Sequence, residues 1–193
     1  MVMSNIAPNS SRTAFAQMLA SSPTAVGNVN SSANVTPGTL SASNGSPSSI
    51  SLTLNGSDRT ATYTLPITVN DQTGSGNGWG LTITSTTFSF SGSTALSTPV
   101  TRALSTGATK ITGVAVVCAG PGACTDASNS VSYSNFTVPA ASTAPTAVQF
   151  FNAAVDTGLG NFTITPTFQV SFPANVFAGT YSSTLTISIT SGP

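Results

Sequence analysis

Asn161-Phe162-Thr163-Ile164-Thr165-Pro166-Thr167-Phe168-Gln169-Val170-Ser171-Phe172 is the stretch that decides the fold. Phe162, Ile164, Phe168, Val170 and Phe172 share one parity, and Thr, Gln and Ser hold the other. Successive side chains of a strand point to opposite faces, so this period of two predicts a long β-strand with one face buried. Pro166 cannot donate to a ladder, which predicts an edge or a bulge at that point. The alternation returns at Tyr181, Leu185, Ile187 and Ile189.

Toward the N-terminus the same pattern recurs at lower amplitude. It predicts strands near 147–155, 130–138, 111–118, 99–104, 86–91 and 79–84. Before them, one strand runs through Tyr63, Leu65, Ile67 and Val69, and another carries Ile50, Leu52 and Leu54; the turn Asn55-Gly56-Ser57-Asp58 separates the two. The outward parity is mostly Thr and Ser, and β-branched Thr suits a pleated surface. About nine to eleven strands with one apolar face each predict an all-β domain over 49–193. The expected form is a two-layer antiparallel β-sandwich of Greek-key or jelly-roll kind.

Residues 1–48 read differently, as an extended N-terminal arm. Its one helical signal lies near 11–20, where Phe15, Met18 and Leu19 are spaced i, i+3, i+4 behind a Ser cap. Alone such a helix is too short to persist in water, so it needs a surface to dock on. The rest is rich in Ser, Asn, Pro and Gly with isolated Val26, Val29, Val35 and Leu40. A segment of this kind buries little apolar surface to offset its lost entropy. Phe15, Met18, Leu19, Val26, Val29, Val35 and Leu40 are the expected anchors of the arm.

Charge narrows function sharply. Arg12, Arg59, Arg102 and Lys110 are the cations, and Asp58, Asp71, Asp126 and Asp156 the anions; they make up 4% of 193 residues. A typical soluble protein carries about 25%. Four scattered cations form no patch able to neutralise several phosphates, so no nucleic-acid partner is expected. Without Glu or His there is no His-based triad, no zinc site and no Glu pair for acid–base work, so no enzyme and no cofactor are expected. No stretch reaches the roughly 18 apolar residues of a membrane helix.

Cys118-Ala-Gly-Pro-Gly-Ala-Cys124 spaces two thiols by five small, turn-forming residues. That spacing predicts a disulfide pinning one loop; two buried thiols at a strand end are the alternative. A disulfide implies an oxidising, extracytoplasmic setting. Residues 1–21 lack the basic start and apolar run of a secretory signal, so export would require a signal already removed.

Asn-Asp-Gln-Thr-Gly-Ser-Gly-Asn-Gly-Trp-Gly-Leu-Thr-Ile-Thr, residues 70–84, resembles the first signature of the WxL and WxL-like surface proteins of Gram-positive bacteria. The matching positions are Asp71, Gly74, Gly76, Gly78, Trp79 and Leu81. Residues 177–189 look like the closing hairpin of that family, with Ile187-Ser188-Ile189 where standard members carry a second Trp-x-Leu. The resemblance implies an exported protein. In standard members it further implies attachment to cell-wall peptidoglycan. Trp79 is then either a sheet-corner anchor beside the glycine loop or a contact to wall glycan. Asp71 and Asn77, with the carbonyls of that loop, offer oxygen ligands for a Ca²⁺ site, and Asp156 sits in a similar loop. An Asx-turn held by backbone hydrogen bonds is the other reading of both.

A neutral, hydroxyl-rich surface has little self-repulsion and few charges to guard its sheet edges. With 63 Ser and Thr among 193 residues, this chain is of that kind. The expected partner is therefore another copy of the chain. The expected function is a secreted structural protein of the cell surface that assembles into a filament or lattice through the arm.

Overall fold

A computed structural model describes residues 30–93 and 99–193. The chain divides into two units, Met1–Val35 and Thr36–Pro193, and the sheets belong to the second. The helix expected near 11–20 lies outside the described residues, as do Phe15, Met18, Leu19, Val26 and Val29. All regular structure among the described residues is β.

In chain order the strands are β1 (Leu40–Asn44), β2 (Arg59–Thr64), β3 (Ile67–Asp71), β4 (Trp79–Thr86), β5 (Ser89–Ser93) and β6 (Pro99–Ala103). Then come β7 (Thr109–Cys118), β8 (Phe136–Thr137), β9 (Ala140–Ala141), β10 (Val148–Ala153), β11 (Gly160–Phe172), β12 (Tyr181–Ser182) and β13 (Leu185–Ser191). A six-stranded sheet runs β1-β3-β11-β7-β8, with β2 also on β11. A four-stranded sheet runs β10-β4-β13 with β9 on β4, and a three-stranded sheet runs β12-β5-β6. Every pairing is antiparallel except β4 with β9.

β11 is the spine. Its alternation buries Phe162, Ile164, Phe168, Val170 and Phe172 as its sequence dictates. On one side it pairs with β7; on the other it pairs with β3 near its start and β2 near its end. Pro166 therefore lies in the middle of the sheet, not at an edge. Two devices accommodate it. The neighbouring chain breaks between β2 and β3, where the Leu65 N–H donates to the Pro166 carbonyl at 3.3 Å. A residue's N–H and C=O face the same neighbour, so the donor Pro166 lacks falls at this break. On the other side the register with β7 slips between Thr167 and Phe168, a bulge that skips Thr112.

The six- and four-stranded sheets contribute to one core. Trp79 of β4 stacks on Phe151 of β10 with centroids 5.6 Å apart and tilts against Phe162 of β11 at 6.3 Å. Ile67, Val69, Leu81, Ile83, Ile111 and Phe168 fill the space around them. Each such side chain contributes about 1.5–3 kcal/mol by leaving water.

Several sequence expectations change. Among the described residues thirteen strands form where about nine to eleven were expected. The run expected through Tyr63 and Val69 splits at Leu65-Pro66, and the run at 180–190 splits into β12 and β13. Residues 49–54 join no sheet, although Ile50 and Leu52 pack against the core. Of the strand expected over 130–138 only Phe136–Thr137 forms. The segment read as arm extends too far: Leu40–Asn44 pairs along β3, from Leu40 opposite Asp71 to Asn44 opposite Ile67. Backbone pairing at an edge needs little apolar content, which is why LSASN reads as linker. Leu40 packs against the core of its own chain, so it is no anchor for another copy, and Val35 is 87% exposed.

Candidate functional site

The glycine-rich loop between β3 and β4 sits above the buried Trp79. The indole N–H donates to the Gly158 carbonyl at 2.9 Å, and the ring is fully enclosed. An enclosed ring presents no face to a sugar. Of the two readings of Trp79, its enclosure and its bond to Gly158 fit the anchor beside the glycine loop.

The Asp71 carboxylate is buried and accepts from the Thr73 N–H at 3.0 Å and the Thr73 hydroxyl at 2.7 Å. This is the Asx-turn geometry. The Asn77 N–H donates to the Ser75 hydroxyl at 3.3 Å, and the Asp156 N–H donates to the Gly76 carbonyl at 2.7 Å. These bonds order the loop from within. Among the described residues no three Asp, Glu, His or Cys side chains converge as a metal group would require. Of the two readings of Asp71 and Asn77, the hydrogen bonds present are those of the Asx-turn and its self-bonded loop.

Cys118 and Cys124 form a disulfide, with Cα atoms 6.0 Å apart. It closes the end of β7 over the start of β11, where the Ala119 N–H donates to the Asn161 carbonyl at 2.8 Å. No helix among the described residues is long and apolar enough to cross a membrane.

β7 holds the first of two unusual surfaces. β8 covers only its start, pairing Lys110 with Thr137 and Ile111 with Phe136. Beyond that, no strand among the described residues pairs with the outer side of residues 113–118. The bond from Ala119 to Asn161 fixes the phase of the ladder. Ala115 and Val117 direct their backbone groups to β11, and Val114, Val116 and Cys118 direct theirs outward. Val116 is 39% exposed and Val117 59%. The run Gly113-Val-Ala-Val-Val-Cys118 contains no charge and no proline, the two usual guards of an edge.

The second surface is a cleft of about 490 Å³. Leu52 and Leu54 stand on one wall and Val176 and Phe177 on the other, with Phe172 and Tyr181 between. Its aromatic side is braced. Tyr181 meets Phe172 edge-on at 5.8 Å, its hydroxyl donates to the Phe177 carbonyl at 3.2 Å, and Arg102 lies 5.2 Å from the Phe177 centroid. The sequence signals this cleft only through the alternation of Ile50, Leu52 and Leu54. It signals the edge only through a valine run whose outer side is left bare by the shortness of β8.

In comparisons with known proteins, no family model, no curated protein and no solved structure matches the chain.

Proposed function

We propose that this chain is a secreted, non-enzymatic structural protein of the cell surface that assembles with copies of itself into a filament or lattice. The reading takes the six- and four-stranded sheets as two layers of a Greek-key or jelly-roll-like sandwich. The single observation that carries it is the bare edge at residues 113–118, uncharged and lined with exposed valines. An edge with outward N–H and C=O groups is a template for another strand. The low charge of the whole chain removes the repulsion that ordinarily keeps such edges apart. The disulfide supports an oxidising, extracellular setting. The arm of one copy packing on the next makes the contact head-to-tail, and a head-to-tail contact that does not close propagates.

Electron microscopy of the purified full chain tests this. Filaments or sheets that dissolve on deletion of residues 1–35, which spares β1, are the expected result. A particle that stays monomeric at every concentration overturns it.

A second reading is a WxL-like wall-binding module. It is favoured by the adjacency of the two segments that carry the resemblance: β13 lies along β4, with Ile189 opposite Leu81 and Ser191 opposite Trp79. Its glycan contact lies away from the enclosed Trp79. Retention of the protein on purified peptidoglycan supports it, and passage through without delay removes it.

A further inference from the structure

Residues 49–54 have the alternation of a strand and yet no ladder. Among the described residues none of their backbone N–H or C=O groups is hydrogen-bonded to another backbone group. The facing wall of the cleft, residues 177–180, is in the same condition. Two segments without ladder partners thus line one trough together with Phe172 and Tyr181, and of their carbonyls that of Phe177 is taken by the Tyr181 hydroxyl. A small apolar ligand would fill the trough and leave both backbones unpaired. An extended peptide fills it and offers N–H and C=O groups to both walls, which is how an added strand binds.

No charged residue lines the cleft, so the peptide it takes is uncharged. This chain has such a peptide. Residues 13–57 contain no charged side chain, and within them residues 13–20, Thr-Ala-Phe-Ala-Gln-Met-Leu-Ala, have the bulkiest apolar content ahead of β1. Extended, that run places Phe15 and Leu19 on one face with Gln17 between them. A helix there would satisfy its own backbone and leave the walls bare, so the cleft selects the extended form. Nineteen residues, 21–39, separate the run from β1, enough chain to reach from one copy to another.

We infer that the cleft between residues 49–54 and 177–180 is the acceptor site for residues 13–20 of a second copy, bound as an added strand. The inference rests on the self-assembly reading and names the place where the arm packs.

The test uses two full-length variants, Thr53→Cys and Gln17→Cys, which spare the anchors. Mixed under mild oxidation, they are expected to give a disulfide-linked dimer containing one of each, and neither alone gives it. Leu54→Arg and Ala178→Arg alter exposed positions on opposite walls and keep the fold. Each is expected to raise the concentration needed for assembly by roughly tenfold or more. Three results overturn the inference. A link that forms only inside a Thr53→Cys/Gln17→Cys double variant places the arm in its own cleft. Polymers that form without the mixed link, and tolerate both arginines, reject the cleft but leave self-assembly standing. Monomers without the link reject both.

Discussion

Trp79 and Gly158 are built for each other. The indole N–H reaches the Gly158 carbonyl at 2.9 Å, and a Cβ on Gly158 would stand 2.7 Å from that same nitrogen. Gly158 also holds φ at +75°, a region costly for any other residue. Gly158→Ala is therefore expected to lower unfolding free energy by roughly 2–5 kcal/mol, the sum of backbone strain and overpacking. Trp79→Phe keeps an aromatic ring but strands the Gly158 carbonyl, at about 1–3 kcal/mol. Urea unfolding of the two variants checks both, and equal stability to the parent refutes the pairing.

The disulfide makes a different demand. It closes a short loop, so its entropic contribution is about 2 kcal/mol. Gly160 lies against Cys124, and a Cβ there would come within 3.1 Å of its sulfur. Replacing both cysteines with serine is expected to cut stability by about that amount while leaving the far-ultraviolet spectrum of the folded chain unchanged. Loss of the β spectrum at room temperature would show that the bridge holds the fold and not only its loop.

The strands with strong alternation were readable because burial on one face writes a period of two into the sequence. β11 and β13 are the clearest cases, and Trp79–Thr86 was legible from its flanking glycines. What the period does not encode is a partner. Ile50, Leu52 and Leu54 mark a face to bury, and the chain packs Ile50 and Leu52 against the core without a ladder and leaves Leu54 exposed. Residues 128–135 fail as a strand for a side-chain reason. The Asn152 carboxamide oxygen accepts from the Ser130 N–H at 2.9 Å, and the Asn129 oxygen accepts from the Asn152 N–H at 3.0 Å. Tyr133 donates to the Phe150 carbonyl at 2.8 Å, and burial pushes its hydroxyl pKa up while Asn129 pulls it down. Side chains thus stitch the segment to β10 in place of a ladder. The Gly113–Cys118 stretch was legible as a strand, but its open side depends on how far β8 runs, a distant fact.

Tyr63 gives the chain a response to alkali. It stands opposite Phe168 in the ladder, stacked at 4.8 Å, and burial pushes its pKa from 10.0 to about 12. Between those values the unfolded chain loses the Tyr63 proton and the folded chain keeps it. The folded state then binds more protons, so stability falls as pH rises through this window. The effect is absent below pH 10 and reaches about 2–3 kcal/mol near pH 12. Thermal melts from pH 9 to 11.5 should show the decline, and Tyr63→Phe should flatten it. A parent and variant that decline in parallel would exclude Tyr63 as the source.

Val117 offers the sharpest test of the open edge. Its side chain is 59% exposed, and its own backbone is committed to β11, so a lysine there touches nothing the fold depends on. Val117→Lys is expected to change stability by no more than about 0.5 kcal/mol. On an edge, however, a lysine is a guard: an added strand would have to carry its charge into a sheet whose neighbours offer no counterion. Assembly of the full chain, followed by light scattering against concentration, should therefore weaken sharply while the monomer melts as before. Val148→Lys supplies the control, because Val148 is exposed at 39% on β10, away from this edge. If both lysines suppress assembly equally, added charge alone is responsible and the edge has no special part. If only Val117→Lys does so, strand addition at residues 113–118 is a contact between copies, made beside that of the arm.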